Sequence, residues 1–327
     1  MRTLHHTLTA ALSLTLLACG GGGDADTSTV LGTSTAALTL AASGTARMIS
    51  VTNKGLTPAK NLRFGATDMP PGTAVRSSCP ASLLPGASCL LVVTPGNRPT
   101  AMPGDPEPLS ALVEVAGDNT NTLKLVLWVI SYGSVHQGGY VFALDDSTAL
   151  TLGVGGKVLT TNDLAGGSSW SQTLEAIPGV SDNSVAGPGS CDGALDGRCN
   201  TARILSHYPS GSRDFAAARC ADHRGDGFSD WYLPALCELG YGGLDPSDPE
   251  QALCGTQTNP RLPDNVSTRL TFPGGLGPFN PNPRWSSTQR SRDATNDAGV
   301  SFSFGPQSFV TKTLPGVPLR CARHLTP

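Results

Sequence analysis

The hydrophobic positions form one continuous run at the start of the chain and many short runs after it. Leu8–Ala18 is apolar apart from Ser and Thr, follows Met1 and Arg2, and is followed by Cys19 and four glycines. A basic start, a short apolar stretch and small residues at a cleavage site are the parts of a secretory signal peptide. The run is also shorter than the roughly 20 apolar residues of a membrane-spanning helix. The pattern predicts a signal peptide at residues 1–18.

Residues 30–133 contain short apolar runs separated by Gly, Asn and Asp, which is typical of strands joined by turns. Ala36–Ala41 and Met48–Thr52 predict two strands. Leu109–Val115 and Thr122–Ile130 flank a Gly/Asp/Asn cluster and predict a hairpin. Short strands at this spacing favour a β-sandwich.

Residues 134–327 mix strand patterns with helical ones. Strands are predicted at Gly138–Leu144, Gly155–Leu159, Val300–Phe304, Phe309–Lys312 and Leu319–Arg323. Helices are predicted at Thr201–His207 with Asn200 as N-cap, at Asp214–Asp222 capped by Asp214 or Ser212, and at Ala235–Leu239. Gly255–Pro283 is rich in Pro, Gly and Asn and predicts a long irregular loop. Helices enclosed by strands indicate an α+β domain.

Composition agrees with a turn-rich exported chain. The 327 residues include 39 Gly and 26 Pro, and only 14% are charged. The net charge is -3 and no long basic run occurs, which argues against a nucleic-acid partner. Residues 19–29 are small, polar and Gly-rich, and predict a flexible tether.

The nine cysteines bear on both location and stability. If Cys19 is set apart, eight remain, and an even number in an exported chain argues for disulfides. No Cys-x-x-Cys pair or Cys/His cluster has zinc-ligand spacing, so neither a metal nor another cofactor is expected. Cys79 and Cys89 flank a Pro-Gly turn, and their spacing suits one closed loop.

The end of the apolar run resembles a bacterial lipobox, since Leu16-Leu17-Ala18 directly precedes Cys19. The resemblance implies that Cys19 becomes the lipidated first residue of the mature protein, with the lipid bilayer as a partner. Gly20 follows it rather than the Asp associated with inner-membrane retention. The expected location is therefore the outer membrane, in a periplasmic or surface-exposed position.

Three stretches of the first half resemble bacterial immunoglobulin-like surface modules: TNKGLTPAKNL, CPASLLPGASCLLVVTP and VAGDNTNTL, which begin at Thr52, Cys79 and Val115. The resemblance implies an immunoglobulin-like sandwich over residues 30–133. It implies no chemistry, and a spacer is the favoured role.

Three segments of the second half together resemble the Lcl C-terminal domain family, formerly a domain of unknown function. They are Gly139–Phe142, Asp230–Leu239, and Arg284–Thr288 with Val317–Arg323. The resemblance implies a fold like that of C-type lectins and the formylglycine-generating enzyme over residues 134–327, and some members are implicated in attachment to polysaccharides. The residues that carry it are Asp230, Trp231, Leu233, Pro234, Glu238, Trp285, Ser286, Ser287, Arg320 and Arg323.

The chemistry of these residues favours structural roles. Trp231 and Trp285 are expected in the core, with a sugar-stacking platform as the alternative. Glu238 falls in the first turn of a predicted helix, where the helix dipole stabilises a carboxylate. This structural role is preferred over that of a catalytic acid. Ser286 and Ser287 suit turns, because His207 and His223 have no triad context. No catalytic residue is predicted, and the protein is expected not to be an enzyme.

The remaining disulfides follow once the lectin-like resemblance is adopted. A disulfide from a helix to the terminal strand is common in lectin-like folds, which pairs Cys220 with Cys321. Cys191 and Cys199 then staple a Gly- and Asp-rich loop, and Cys237 pairs with Cys254. An enzyme of the same fold, a sulfatase-activating oxidase, uses a pair of redox cysteines. This pairing leaves no cysteine free for that role.

The leading hypothesis is a lipoprotein whose C-terminal domain binds a glycan or a matrix component as an adhesion module. The alternative is a structural or accessory envelope protein that binds another protein. An anionic glycan is not favoured, because the arginines near the end of the chain are interspersed with Asp293 and Asp297.

Overall fold

The computed structural model describes residues 28–105, 109–209, 211, 213–242, 253–271, 276, 282–302 and 307–327. The predicted signal peptide, Cys19 and most of the tether lie outside these residues.

The described chain is mostly β-sheet. Its strands are β1 Leu31–Thr33, β2 Ala37–Ala41, β3 Arg47–Asn53, β4 Ala59–Lys60, β5 Arg63–Thr67, β6 Ala74–Ser77, β7 Ser82–Leu83, β8 Ser88–Thr94, β9 Ala111–Ala116, β10 Leu123–Ile130, β11 Val135–His136, β12 Gly139–Asp145, β13 Gly155–Thr160, β14 Pro283–Gln289, β15 Asp297–Phe302, β16 Gln307–Thr311 and β17 Ala322–His324. The helices are α1 Gly197–His207, α2 Ala216–Asp222, α3 Leu236–Leu239 and a short π-helix at Ser267–Thr271.

Two four-stranded sheets form an immunoglobulin-like β-sandwich from the first half of the chain. One sheet has the order β1-β3-β8-β6 and the other β2-β10-β9-β5. Alternate residues of β3 and β9 are buried, as expected of strands with one face on a core. β9 and β10 form the predicted antiparallel hairpin. β2 instead runs parallel to β10, so the second and the last strands of the sandwich are neighbours.

The second half holds two smaller sheets and the helices. The first sheet has the order β11-β12-β13-β17 and the second β14-β15-β16. Their core is continuous with the sandwich, because Ala41 and Ile130 belong to the same buried cluster as Trp170 and Trp285. A clearly separate α+β lectin-like domain is therefore not evident in the described residues.

A buried arginine fastens the two halves together. The guanidinium of Arg47 is fully buried and donates to the carboxylate of Asp146 at 2.7 Å and to the carbonyls of Thr148 and Ala149 at 2.7 and 3.2 Å. Leu150 continues this contact by accepting from the Met48 amide at 2.8 Å. The start of β3 is thus bound to the turn that follows β12.

Two helices begin at positions other than those that their predicted N-cap residues imply. α1 starts at Gly197, and its N-cap is Asp196, whose carboxylate accepts from the Cys199 amide at 2.9 Å. Asn200 is wrong as the N-cap, because its side chain is buried and donates to the Gly193 carbonyl at 2.7 Å. α2 starts after Phe215, which lacks a side-chain cap, so Asp214 is wrong as well; Ser212 lies outside the described residues.

The segment predicted as a loop after Gly255 contains the π-helix, and β14 was not predicted as a strand. In β14, Arg284–Gln289 is buried at every position, so its sequence lacks the alternation that marks a half-exposed strand. The final strand is shorter than predicted, since β17 begins at Ala322 rather than Leu319.

The structure joins the cysteines in the four predicted pairs. They are Cys79–Cys89, Cys191–Cys199, Cys220–Cys321 and Cys237–Cys254. Four disulfides are typical of a protein that works outside the reducing cytoplasm. No helix among the described residues is both long and apolar enough to cross a membrane.

Removal of the longest-range disulfide should cost the most stability. Cys220 and Cys321 are 101 residues apart, against 10 for Cys79 and Cys89, and the loop-entropy model assigns the two closures about 4.7 and 2.7 kcal/mol. We therefore expect C220S/C321S to lose about 2 kcal/mol more than C79S/C89S in urea unfolding. Equal losses in the two double variants would contradict this ranking.

Candidate functional site

Glu238 is the centre of a buried polar network. Its side chain is 1% exposed, and each carboxylate oxygen accepts two hydrogen bonds. One oxygen accepts from Lys157 Nζ at 2.5 Å and the Tyr232 hydroxyl at 3.0 Å. The other accepts from the amides of Ala235 at 2.8 Å and Gly197 at 3.2 Å. Burial and the Glu238 charge hold the pKa of Tyr232 well above its usual value. The carboxylate therefore links β13, the start of α1 and the segment that leads into α3. Both of its oxygens are fully hydrogen-bonded.

The tryptophans of the family-like motif lie in the core. Trp285 is fully buried and donates its indole N–H to the Ser168 carbonyl at 2.9 Å. Trp231 is 3% exposed and meets the His223 ring edge-on, with centroids 5.4 Å apart. Its indole N–H is buried without a partner. Neither ring presents a face on which a sugar could stack.

The serines of β14 bond to the backbone around them. Ser286 Oγ donates to the Gly299 carbonyl at 2.8 Å, and Ser287 Oγ accepts from Asn200 at 3.1 Å. The Ser287 amide donates to the carbonyl of Pro234, which follows the buried Leu233. Both hydroxyls are fully buried and link β14 to β15 and α1, while the Ser287 amide links it to the loop before α3.

The motif arginines are neutralised by two aspartates. Asp163 receives Arg284 at 2.7 Å and Arg320 at 2.9 Å. Burial alone would raise the pKa of Asp163, but the two guanidinium groups outweigh it and lower that pKa. Asp230 pairs with Arg323 at 2.7 Å. These arginines do not converge on a basic surface patch.

The loop aspartates likewise have structural partners. Asp196 caps α1, Asp182 accepts from the Ser291 amide at 3.0 Å, and Asp192 lies 3.5 Å from Arg261. Within the described ranges, no group of three or more His, Cys, Asp or Glu residues is arranged to hold a metal ion.

An open cleft of about 530 Å³ lies between the sandwich and the second half. We call it the Trp128 cleft, after the only aromatic ring of Trp, Tyr or Phe type among its described lining residues. Polar side chains surround the ring, from Thr35, Thr39, Ser110, His136, Gln137 and Thr326.

The parallel pairing of β2 with β10 positions this cleft. Thr39 lies directly opposite Trp128 in the register of the two strands. Along β10, Leu125 and Leu127 are buried in the sandwich, whereas Lys124 and Trp128 lie on the opposite face. Trp128 was not among the predicted site residues, although this alternation places it on the same face as Lys124.

The indole of Trp128 differs from the three core tryptophans. It is only partly buried, and within the described chain its N–H makes no hydrogen bond. Its ring contacts His136 at a centroid distance of 5.3 Å. Trp128 therefore contributes a partly buried aromatic ring to the lining of the cleft.

The polar residues that line the cleft are held in position by hydrogen bonds to one another and to neighbouring residues. His136 Nε2 bonds to Thr39 Oγ1 at 3.0 Å. Gln137 Oε1 accepts from Arg323 at 2.8 Å and from the Thr326 amide at 2.9 Å. Burial, and secondly the charge of Arg323, lower the pKa of His136 to about 4. The ring is therefore neutral at physiological pH and can bond without bringing a charge into the cleft.

We expect Glu238 to matter for stability rather than for chemistry. Glu238→Ala leaves Lys157 and Tyr232 without their shared acceptor and should lower the free energy of unfolding by about 3–5 kcal/mol. Glu114→Ala breaks an exposed pair with Lys124 and should change it by less than about 1 kcal/mol. Urea titration of both variants tests this, and similar small losses would be the contrary result.

The neutral state of His136 predicts acid sensitivity. As the pH falls from 6.5 towards 4, the unfolded chain binds this proton and the folded chain does not, so folding stability is lost. The loss due to this ring alone should reach about 3 kcal/mol. The difference in unfolding free energy between pH 7 and pH 4 should therefore shrink by about that amount in His136→Gln. An unchanged difference would refute the assignment.

No family model matches the chain, and no curated protein matches it. Among solved structures, 31% of the chain is similar to 51% of domains 4 and 5 of the S-layer protein SbsC, at 12% identity and a TM-score of 0.23. The periplasmic chaperone SfaE matches over 33% of this chain and 61% of its own, at 14% identity and a TM-score of 0.26. The E. coli chaperone DraB matches over 33% and 58%, at 16% identity and a TM-score of 0.25. The chain thus spans between half and two thirds of these structures, and a likeness at such identities and scores assigns no function.

Proposed function

We propose that this protein is an envelope lipoprotein that binds a neutral glycan or a glycan-bearing matrix component in the Trp128 cleft. The observation that carries the proposal is the partly exposed Trp128 ring among hydroxyl, amide and imidazole groups. Sugars offer an apolar face of C–H groups and a rim of hydroxyls, and such a cleft complements both. The cleft takes residues from both halves of the chain, so the binding unit is the whole described protein.

A neutral ligand suits the charges around the cleft. His136 is held neutral, and Arg323 is committed to Asp230 and Gln137. Arg284 and Arg320 share Asp163. A sulfated or carboxylated glycan would need free cations, and the paired state of these groups argues against one.

The lipid anchor and the family remain parts of this proposal. Acylation of Cys19 would attach the chain to the outer membrane, and residues 134–327 would be a lectin-like domain of the Lcl C-terminal type. The four disulfides support a location outside the cytoplasm. They also support a binding role over an oxidase-like enzyme, since all eight cysteines of residues 28–327 are paired.

A second candidate function is the binding of an envelope protein at the edge of the sandwich. β5 is an edge strand, all five of its residues are exposed, and Phe64 is 46% exposed. A small groove of about 140 Å³ beside it is lined by Phe64 and Val115. An exposed edge strand can accept a strand of a partner protein.

The glycan proposal predicts that the mature protein binds neutral oligosaccharides on a broad glycan array. Trp128→Ala should weaken that binding at least about ten-fold, because the stacking face and its N–H are lost. Phe64→Ala removes an exposed ring of edge strand β5 that does not line the Trp128 cleft, and should leave the binding unchanged.

Two outcomes would count against this site. If no glycan is bound, or if Trp128→Ala binds like the unaltered protein, the Trp128 cleft is not a glycan site. If Phe64→Asp instead abolishes capture of one stoichiometric envelope protein, the second candidate is favoured.

A further inference from the structure

Three large aliphatic side chains are exposed at the end of the sandwich where the described chain begins. Leu56 is 95% exposed, Leu84 is 63% exposed and Val30 is 56% exposed. We call this group the apolar tip. A single exposed leucine is ordinary on a protein surface, whereas several aliphatic side chains exposed at one end of a fold mark a surface that contacts another one.

The buried side chain of Asn53 gathers these residues at one place. Its Nδ2 donates to the carbonyls of Thr57 at 2.8 Å and Leu83 at 2.9 Å. Its Oδ1 accepts from Thr29 Oγ1 at 2.7 Å. One asparagine therefore ties the loop of Leu56, the loop of Leu84 and the segment of Val30 to the end of β3.

The loop around Leu56 is also packed against the first described residues. The Lys54 amide donates to the Val30 carbonyl at 2.8 Å, and Thr57 Oγ1 donates to the Ser28 carbonyl at 3.0 Å. A Cβ on Gly55 would lie 2.0 Å from Thr29 Oγ1, so this approach requires glycine. The apolar tip is thus a built surface whose side chains are presented by constrained turns.

The tip is also where the chain from Cys19 enters the fold. Residues 20–27 separate Cys19 from Ser28, and the nine Cα–Cα steps between these two residues can span at most about 32 Å. The opposite end of β3, at Arg47, carries the second half of the protein. An anchor at Cys19 therefore brings the apolar tip, rather than the Trp128 cleft, to the bilayer.

We propose that the apolar tip inserts into the interface of the lipid bilayer as a second, non-covalent membrane contact. This proposal rests on the acylation of Cys19 in the proposed function. Transfer of leucine side chains out of water supplies the driving force for this contact. Lys54 and Lys60 are exposed on either side of Leu56 in the chain, and lysines near a lipid surface suit anionic headgroups.

A lipid surface fits the tip better than a second copy of the chain. A specific protein interface needs about 1,000 Å² of buried surface with close shape complementarity. Three aliphatic side chains on turns do not supply that area, whereas they suit insertion to the depth of the headgroups.

Tryptophan quenching by brominated lipid tests the insertion. The acylated protein is reconstituted in vesicles of phosphatidylethanolamine and phosphatidylglycerol, with or without bromine on the acyl chains. Leu56→Trp places a reporter at the tip, and Leu150→Trp is the matched control, because Leu150 is 44% exposed and lies at the Arg47 end of β3. Bromine should reduce the added emission of Leu56→Trp at least about two-fold, and that of Leu150→Trp not at all.

A second variant separates insertion from mere proximity. In Leu56→Trp with Leu84→Asp, the tip carries a charge and the quenching should fall to the level of the Leu150→Trp control. Equal quenching at the two reporter positions, or none at Leu56→Trp, would overturn the proposal. So would a dimer in the absence of lipid that Leu56→Asp converts to monomer.

The acyl group itself is read separately, by mass spectrometry of the same preparation. If Cys19 proves unacylated, the lipoprotein part of the proposed function fails. The tip is then judged by vesicle flotation of the unacylated full chain, which should exceed that of the Leu56→Asp, Leu84→Asp variant at least about ten-fold. Equal flotation of the two would sink the tip proposal on its own.

Discussion

The fully buried guanidinium of Arg47 is the interaction on which the arrangement of the whole molecule depends. Its hydrogen bonds to Asp146, Thr148 and Ala149 fix the second half of the chain to the start of β3. Because a buried charge without its partner is strongly unfavourable, these groups can adopt few alternative arrangements. The Trp128 cleft is lined from both halves, so its shape depends on contacts between them, of which the Arg47 cluster is one and the Thr39–His136 bond another.

The second half is held together by polar groups as much as by its apolar core. Glu238 and Asp163 each accept hydrogen bonds from residues far apart in the chain, and Asp230 pairs with the distant Arg323. The charged residues of the family-like motif are thus paired within the described fold. This explains how residues that look like catalytic acids, nucleophiles or anion binders in the sequence can all be structural.

Sequence patterns predicted β2, β3, β9 and β10 of the sandwich, because alternation and turn residues are local signals, whereas β1 and β4 to β8 were not predicted individually. The hairpin of β9 and β10 is an example. Local signals failed for β14, which is buried on both faces, and for α1, where Asp196 rather than Asn200 caps the helix. The Trp128 cleft was not predicted, since it depends on the parallel register of β2 with β10 and on the junction between the halves. The alternation in β10 contained part of that information, as it placed Trp128 on the outer face.

The pairing of β2 with β10 also bears on when the protein can fold. Ala37 meets Val126 across a separation of almost ninety residues, and β13 meets β17 across a still longer one. Such non-local pairs form slowly, because the entropy of a long closed loop is lost before the contact gains anything. A chain exported from its amino end therefore completes the β2-β10-β9-β5 sheet only after β10 has emerged. Until then its apolar strands remain available to wrong partners, so holdase chaperones should be most valuable early in translocation.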